Sequence, residues 1–243
     1  MTNRPRLESL SPSLVSSADG ESPAYEQKFL VTESQAAELE AWVASHLTPD
    51  PHADPTAGNR YRVTSVYLDT SSFDVCRRTE GYTVHKYRVR RYGLDSLAHL
   101  ERKSKRSGRV WKQRTAIPLV TPIANTPVSW FADEVAELRL QPVCRISYDR
   151  TAFVGVASTG PIRLTLDRLP IGVKSNDFTL TPVTDGTRLV SDSVIVELKF
   201  LATSPLVFKE LLETFRLNVC GVSKYRHCIN ALSLCASPGD DDA

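Results

Sequence analysis

The feature of this 243-residue sequence that most restricts its fold is the alternation of apolar and charged residues with a period of two. Successive side chains of a β-strand point to opposite faces, so this period predicts strands with one charged and one apolar face. Short turns such as 106–108 separate neighbouring segments, which indicates antiparallel hairpins and not β-α-β crossovers. Eight strands are predicted, over residues 25–31, 61–70, 83–92, 97–105, 109–119, 143–154, 162–169 and 194–200.

Helical patterns lie between some of these strands. Thr32 and Gln35 have the spacing of a capping box, which predicts a helix that reaches about residue 46. A second helix is predicted over 130–138, and two more follow the last strand, with apolar residues at helical spacing. The predicted fold class is therefore α+β. The N-cap residues predicted for the first, third and fourth helices are Thr32, Ser204 and Ser223.

The chain divides into a body and two polar ends. Residues 1–22 are rich in Ser, Pro and charge, and we expect a disordered leader there. Residues 237–243 form an acidic tail. Antiparallel barrels commonly exceed 200 residues, so residues 23–236 are predicted to form one domain. The Pro-rich stretch 48–59 is predicted to be a surface loop.

Composition indicates an ordinary globular protein. Hydrophobic residues make up 41% and charged residues 24%, and the sequence contains no apolar run of membrane-spanning length. The five cysteines are odd in number and form no C-x-x-C pair, which is typical of thiols in a reducing compartment and not of disulfides or a zinc site. We therefore expect a soluble, cytoplasmic protein.

Positive charge is concentrated in one part of the chain. The formal net charge is only +2, yet eleven Lys or Arg residues lie between Lys86 and Arg114, where Asp95 and Glu101 are the only acids. Arg77 and Arg78 lie just before this stretch. Such a concentration indicates a surface or cavity that faces anions.

The charged strand faces are compatible with two arrangements. In one, the apolar faces form the core and the charges face water, as in a one-sided sheet. In the other, the sheet closes into a barrel with the charges inside, and helices cover the apolar outside. The amphipathic helices favour the second arrangement, as do isolated glutamates placed two residues from lysines. These pairs are Glu26 and Lys28, Glu101 and Lys103, and Glu197 and Lys199.

A basic lumen with a few carboxylates suits a metal–triphosphate ligand. Guanidinium and ammonium groups form charge-assisted hydrogen bonds with phosphate. A hard divalent ion that bridges phosphate oxygens takes few protein ligands, and these are carboxylates.

Eight segments, in order, resemble one known family. The sequence is similar to the VTC domain, the polyphosphate polymerase domain of the vacuolar transporter chaperone complex and of its stand-alone bacterial relatives. This resemblance spans about residues 25–234 and implies an eight-stranded triphosphate tunnel, with a basic interior and an apolar outer face covered by helices. The matching segments are 25–29, 64–70, 86–93, 101–103, 145–153, 163–167, 197–199 and 223–225.

The resemblance also implies the site. Glu197 would hold the metal, Mn²⁺ or Mg²⁺, with Glu26 and Glu101 as further candidates. Arg88, Arg90, Lys103, Arg145 and Glu197 would form the catalytic group. The implied phosphate ligands are Lys28, Arg88, Arg90, Lys103, Lys112, Arg145, Arg163 and Lys224, with Arg114 and Lys199 as additional contacts.

The implied reaction is metal-dependent transfer of the ATP γ-phosphoryl group to a growing polyphosphate chain. The sequence departs from the patterns of related families at two positions that bear on this reaction. Ala24 stands where hydrolytic relatives have the first glutamate of Glu-x-Glu-x-Lys, and residues 220–222 lack a lysine that eukaryotic polymerases carry.

Other functions are compatible with the same residues. A triphosphatase would let water attack in the same site, and a sensor or scaffold would bind polyphosphate or nucleotide without turnover. Nucleic acid is not expected, because aromatic residues do not form a base-stacking platform. The sequence does not fix the oligomeric state or identify a membrane-protein partner.

Overall fold

The computed structural model describes residues 21–123, 126 and 128–235. The acidic tail and most of the predicted leader lie outside the described residues. Glu21 and Ser22, the last two residues of that leader, belong to the first strand.

The eight predicted strands are all present in the described part of the chain. Two further strands have only two residues each, too few for a periodic pattern. One of them lies in the predicted loop 48–59, together with a 3₁₀ turn at Pro55–Ala57. The strands are β1 Glu21–Thr32, β2 Thr48–Pro49, β3 Arg60–Asp69, β4 His85–Tyr92, β5 Leu97–Arg106, β6 Arg109–Pro118, β7 Gln141–Ala157, β8 Gly160–Lys174, β9 Thr187–Arg188 and β10 Ser193–Phe200.

Five α-helices lie among the described residues. The predicted capping box is present, because the Thr32 hydroxyl accepts from Gln35 N and the Gln35 side chain accepts from Thr32 N, both at 3.2 Å. Ser223 caps the last helix. The prediction for Ser204 is wrong, since Pro205 occupies the N-cap position and the Ser204 hydroxyl makes no hydrogen bond. The helices are α1 Glu33–Ala44, α2 Asp74–Arg77, α3 Ser129–Glu137, α4 Leu206–Thr214 and α5 Lys224–Ala231.

The eight long strands form a closed antiparallel ring. Their order is β7-β3-β4-β5-β6-β1-β10-β8, and β8 pairs with β7 to complete the circle. Strands β2 and β9 add to β7 and β8. In the described part of the chain, each long strand is thus hydrogen-bonded on both sides.

The apolar strand faces point outward and are covered by helices. Leu39 of α1 and Phe208 of α4 are fully buried against Phe29, Leu164 and Val196 of the ring. Helices α3 and α5 cover a second cluster on the strands β3 to β7. The predicted fold, with a charged interior and an apolar outside beneath helices, is confirmed, and the one-sided sheet is excluded.

Two smaller observations concern the rest of the chain. The five cysteines form no disulfide with one another. No helix in the described ranges combines the length and the apolar character needed to cross a membrane.

Candidate functional site

The ring encloses a cavity of about 520 Å³, which we call the channel. Among the described residues, its wall carries thirteen Lys or Arg side chains and only two carboxylates, Glu26 and Glu197. This excess of positive charge is far larger than the net charge of the chain. The cations are Lys28, Arg78, Lys86, Arg88, Arg90, Lys103, Lys105, Lys112, Arg150, Arg163, Lys199, Lys224 and Arg226.

Strand register brings like charges together on this wall. Lys86 of β4 lies directly opposite Lys103 of β5, and Lys103 lies opposite Lys112 of β6. Like charges on directly opposed residues destabilise a sheet. The side chains of Lys103 and Lys112 are only 24% and 17% exposed, so water screens this row of three lysines incompletely. The arrangement indicates an anionic ligand.

Glu101 organises one side of the wall. Its side chain is fully buried; Oε2 accepts from Arg88 Nε at 2.6 Å, and Oε1 accepts from Arg114 Nε at 2.9 Å and Lys112 Nζ at 2.7 Å. Burial alone would raise the pKa of Glu101, but the surrounding cations, Arg88 first, hold that pKa well below its usual range. Both oxygens are engaged by cations, so the prediction of Glu101 as a metal ligand does not fit this placement.

Asp167 organises the opposite side. It accepts two hydrogen bonds from Arg150, at 2.6 and 2.8 Å, and one from Lys224 Nζ at 2.5 Å. Burial would raise the pKa of Asp167, yet Arg150 and Lys224 lower it. Lys224 is the first residue of α5, so this contact fastens the helix N-terminus to the channel wall.

The two carboxylates of the channel lie on neighbouring strands. Lys28 Nζ lies 3.2 Å from Glu197 Oε2, and Lys103 donates to Glu26. In the β1–β10 ladder, Glu26 is opposite Lys199 and Lys28 is opposite Glu197, so the glutamates are diagonal neighbours. Burial would raise the pKa of Glu197, but Lys28, Lys103 and Lys224 hold it well below its usual range. Glu197 is therefore an anion at neutral pH.

These carboxylates fit a hard divalent ion that binds together with a phosphate ligand. No three His, Cys, Asp or Glu side chains of the described residues form a metal site by themselves. Mg²⁺ in proteins commonly takes one or two carboxylates, with phosphate and water supplying the remaining oxygens. Manganese accepts the same oxygen ligands. Glu197 and Glu26 provide that donor set.

The segment before α5 crosses part of the channel. Ser223 Oγ accepts from Lys86 Nζ at 3.1 Å, and the Val222 carbonyl accepts from Lys28 Nζ at 3.4 Å. Burial and the neighbouring Arg226, Lys28 and Lys103 lower the pKa of Lys86 to about 7. The helix N-terminus adds a further attraction for anions.

Most of the residues predicted for the site meet in the channel. Arg114 lies behind the wall, bound to Glu101 and to the Tyr92 hydroxyl. Eight others line the channel: Lys28, Arg88, Arg90, Lys103, Lys112, Arg163, Lys199 and Lys224.

Arg145 does not join them. It faces away from the channel and donates to the Thr179 carbonyl at 3.2 Å. Side chains alternate along β7, so Tyr148 and Arg150 face inward while Arg145 faces outward. The position on the wall that was assigned to Arg145 is taken by Arg150, five residues later.

Five cations of the wall were not assigned to the site from the sequence. For Lys86 the sequence does carry a signal, because alternation places Lys86 on the same strand face as Arg88 and Arg90. Arg226 and Arg78 lie outside the strands, where alternation gives no direction. The five are Arg78, Lys86, Lys105, Arg150 and Arg226.

Comparisons with known proteins place the chain among tunnel-shaped folds. The sequence model of the VTC domain matches residues 23–233. No curated protein sequence matches the chain. A candidate adenylate cyclase from Bacillus halodurans superposes with a TM-score of 0.54 at 13% identity, over 84% of this chain and 95% of that one.

Two weaker structural likenesses accompany it. A candidate adenylyl cyclase from Hippeastrum, described as having a dominant triphosphatase activity, gives a TM-score of 0.47 at 15% identity, over 89% of this chain and 98% of that one. A protein from Pyrococcus horikoshii gives 0.46 at 12% identity, over 83% and 93%. The Bacillus structure supports the fold alone.

Proposed function

The chain belongs to the VTC domain family, and on that premise we propose that it is a metal-dependent polyphosphate polymerase. As a family member it is a tunnel enzyme that handles phosphoryl groups. The reaction we propose transfers the γ-phosphoryl group of ATP to the end of a growing polyphosphate chain inside the channel.

The row of Lys86, Lys103 and Lys112 is the observation that carries this proposal. Lys103 pairs with Glu26 and Lys112 with Glu101, while Lys86 donates to the neutral Ser223 hydroxyl, so these ion pairs offset the repulsion within the row only in part. An anion that lies across the row would reduce the remaining repulsion. A phosphate chain presents negative oxygens at regular intervals, so it can meet several wall cations at once.

The wall residues supply alignment and charge for the transfer. A terminal oxygen of the acceptor chain attacks the γ-phosphorus of ATP, the bond from that phosphorus to the ADP oxygen breaks, and a new P–O–P link forms. The attacking oxygen is already anionic, so the step needs no protein nucleophile or strong base. Arg88, Arg90 and Lys103 would stabilise the charge that develops on the transferred group.

Glu197, with Glu26 as its neighbour, would hold the divalent ion. Such an ion, when bound, neutralises phosphate oxygens and helps to align them. Lys28 would orient Glu197, and Lys103 would orient Glu26. We further propose a cytoplasmic location, because five cysteines that form no disulfide suit a reducing compartment.

Product analysis with purified protein tests the proposal. The protein is incubated with ATP and Mn²⁺ or Mg²⁺, and ADP, free phosphate and polyphosphate are measured over time. Formation of ADP with a matching amount of polyphosphate supports the polymerase, and Glu197→Gln is expected to abolish it. ADP with free phosphate would identify a triphosphatase instead. Binding of ATP without any ADP would leave a sensor or scaffold, and the polymerase would be refuted.

A further inference from the structure

Four cations at the exposed edge of the channel form no ion pair with Asp or Glu among the described residues. Further along the wall, Lys28 has Glu197 as its partner. By contrast, Lys86 Nζ donates to the neutral Ser223 hydroxyl at 3.1 Å, and Arg226 Nε is buried without a hydrogen-bond partner. The four residues, which we call the basic cluster, are Arg78, Lys86, Lys105 and Arg226.

The members of the basic cluster lie close to one another. Burial, and then neighbouring cations that include Arg226 and Arg78, lower the pKa of Lys86 to about 7. Burial and Arg78 also lower the pKa of Arg226. Lys105 comes from the adjacent strand β5, where its backbone N–H donates to the Val84 carbonyl at 3.1 Å. Since cations held this close repel one another, an anion placed among them would be bound.

The chain turns back towards the basic cluster after helix α5. Leu234 N donates to the Ile229 carbonyl at 3.0 Å, a bond that closes a turn at the C-terminal end of the helix. Cys235 then accepts a hydrogen bond from Arg77 Nε at 3.1 Å. Arg77 precedes Arg78 in the sequence, so Cys235 lies beside the basic cluster.

Three consecutive aspartates follow shortly after Cys235 in the sequence. Asp240, the first of them, is five residues further on, and five extended residues span up to about 17 Å. The Cα atoms of adjacent residues such as Arg77 and Arg78 are only about 3.8 Å apart. The aspartates of the acidic tail can therefore reach the basic cluster, where carboxylates form charge-assisted hydrogen bonds with guanidinium groups.

The short connection makes even a weak attraction sufficient. A short flexible linker gives the tethered group an effective concentration of about a millimolar or more. Exposed ion pairs are individually weak and are screened by salt. A bound tail would therefore exchange readily, and a phosphate chain, which can also contact the buried cations of the wall, would displace it.

We propose that the acidic tail, residues 237–243, binds the basic cluster through Asp240, Asp241 and Asp242 and competes there with phosphate ligands. The tail is thus an internal inhibitor that a phosphate chain must displace. The inference rests on the proposed function only in that the displaced ligand is a phosphate chain. It does not depend on the reaction that follows binding.

Cross-linking of the full-length, ligand-free protein tests the contact directly. A water-soluble carbodiimide joins carboxylates to lysine amines that touch them, and mass spectrometry identifies the joined peptides. At low ionic strength the tail is expected to couple to Lys86 or Lys105 within one chain, and triphosphate should suppress this coupling. Absence of coupling to both lysines, or coupling only between two chains, would overturn the inference.

Calorimetry with inorganic triphosphate tests the competition. The triple variant Asp240→Asn, Asp241→Asn and Asp242→Asn keeps the tail and removes its charge. At about 10 mM ionic strength its Kd for triphosphate is expected to be about threefold lower than that of the wild type, because no competitor occupies the cluster. At about 1 M, where the Debye length is about 3 Å, the two Kd values should coincide. Deletion of residues 237–243 should have the same effect as the triple variant.

A matched control separates a contact at the channel from a change in net charge. Glu38→Gln, Glu210→Gln and Glu213→Gln together remove three exposed carboxylates from helices α1 and α4, on the outer face. This control should keep the wild-type Kd. An equal Kd for the wild type and the tail variant, or an equal gain in affinity in the control, would overturn the inference. Failure of all these proteins to bind triphosphate would refute the proposed function, while the cross-link would still decide where the tail binds.

Discussion

At the residue scale, the cations of the channel differ in whether a buried carboxylate pairs with them. Glu101 and Asp167 hold Arg88, Arg150 and Lys224 in fixed positions through ion pairs. Arg90 is different, since its Nε donates to the neutral Ser65 hydroxyl at 2.9 Å. Its positive charge is therefore directed to the ligand more than to the protein.

Replacing Arg90 is expected to impair turnover strongly. Arg90→Gln removes a buried, pre-oriented cation, and loss of one such donor lowers kcat by about 100-fold to 1,000-fold in comparable sites. Arg60→Gln, at an exposed position on the neighbouring strand, serves as the control and should retain activity. Steady-state rates of ADP formation provide the measurement. Equal rates for the two variants would contradict this role for Arg90.

Glu101 should matter for stability more than for binding. Glu101→Gln leaves three cations without their shared anion, and breaking a buried ion pair costs about 3–5 kcal/mol. Urea denaturation gives the free energy of unfolding, and Glu213→Gln, at an exposed position, is the control. A loss below about 1 kcal/mol, the usual value of a surface ion pair, would disprove the anchoring role.

The same carboxylate should make stability depend on pH. The pKa of Glu101 is lower in the folded protein than in the unfolded chain, so its contribution is present above about pH 4.3, the usual glutamate pKa. That contribution is lost as the pH falls further towards the folded pKa. The free energy of unfolding of the wild type is expected to fall more steeply below about pH 4.3 than that of Glu101→Gln. Parallel curves would contradict the depressed pKa.

The site residues show how far the sequence alone could be interpreted. Alternation along a strand is a strong signal, and it placed Arg88, Arg90 and Lys103 on one face correctly. It does not say which face points inward. The resemblance assigned Arg145 to the site, although Arg150 is the arginine of β7 that lines the channel. Glu101 illustrates another limit, because its burial depends on three partners from two other strands. Such a contact is invisible in a single sequence.

At the scale of the elements, α5 connects the fold to the site. Lys224, at the helix N-terminus, donates a hydrogen bond to Asp167, and Tyr225 stacks on Tyr67 with ring centroids 5.2 Å apart. Ser223 both caps the helix and accepts from Lys86. The position of this helix therefore affects several cations of the wall.

Two N-cap substitutions can separate helix stability from channel function. Ser223→Ala and Thr32→Ala each remove an N-cap side chain, and both are expected to cost about 1 kcal/mol of stability. Only Ser223→Ala should weaken triphosphate binding, because Thr32 caps α1 on the outer face. Chemical denaturation and calorimetry measure the two effects. A similar loss of affinity in both variants would indicate a general effect of stability.

Elements with strong local signals were predicted well. The eight long strands have clear periodicity, and both the Thr32 capping box and the Ser223 cap were recognised. Helix α2, with four residues, and strands β2 and β9, with two each, are too short for a period to appear. Ser204 was misplaced by one residue, an error typical of helix ends, where Ser and Pro are both favoured.

At the scale of the whole molecule, the exposed edge of the channel at Arg78, Lys105 and Gly221, which we call the mouth, concentrates positive charge on a protein that is nearly neutral overall. A basic entrance attracts phosphate ligands from a distance, and salt screens this attraction. The ligand's approach should therefore depend on ionic strength more than its residence in the buried channel does.

The association rate of triphosphate is expected to fall at least about tenfold between low and high salt. Arg78→Gln, at the mouth, should reduce both the association rate at low salt and its salt dependence. Arg188→Gln, on strand β9 and outside the channel lining, is the control. Stopped-flow measurements test this, and a salt-independent association rate would rule out electrostatic steering.

Closure of the ring has a consequence for how the protein is made. Strand β1 is synthesised early, yet it lies between β6 and β10, and Lys28 is opposite Glu197. On the ribosome, β1 must wait for most of the chain before its second neighbour emerges, and contacts so distant in sequence form slowly. Until then it is an open edge that other chains could pair with. We expect nascent chains that stop before β10 to depend on chaperones and to lack phosphate affinity, because the enzyme acquires its site in one late step.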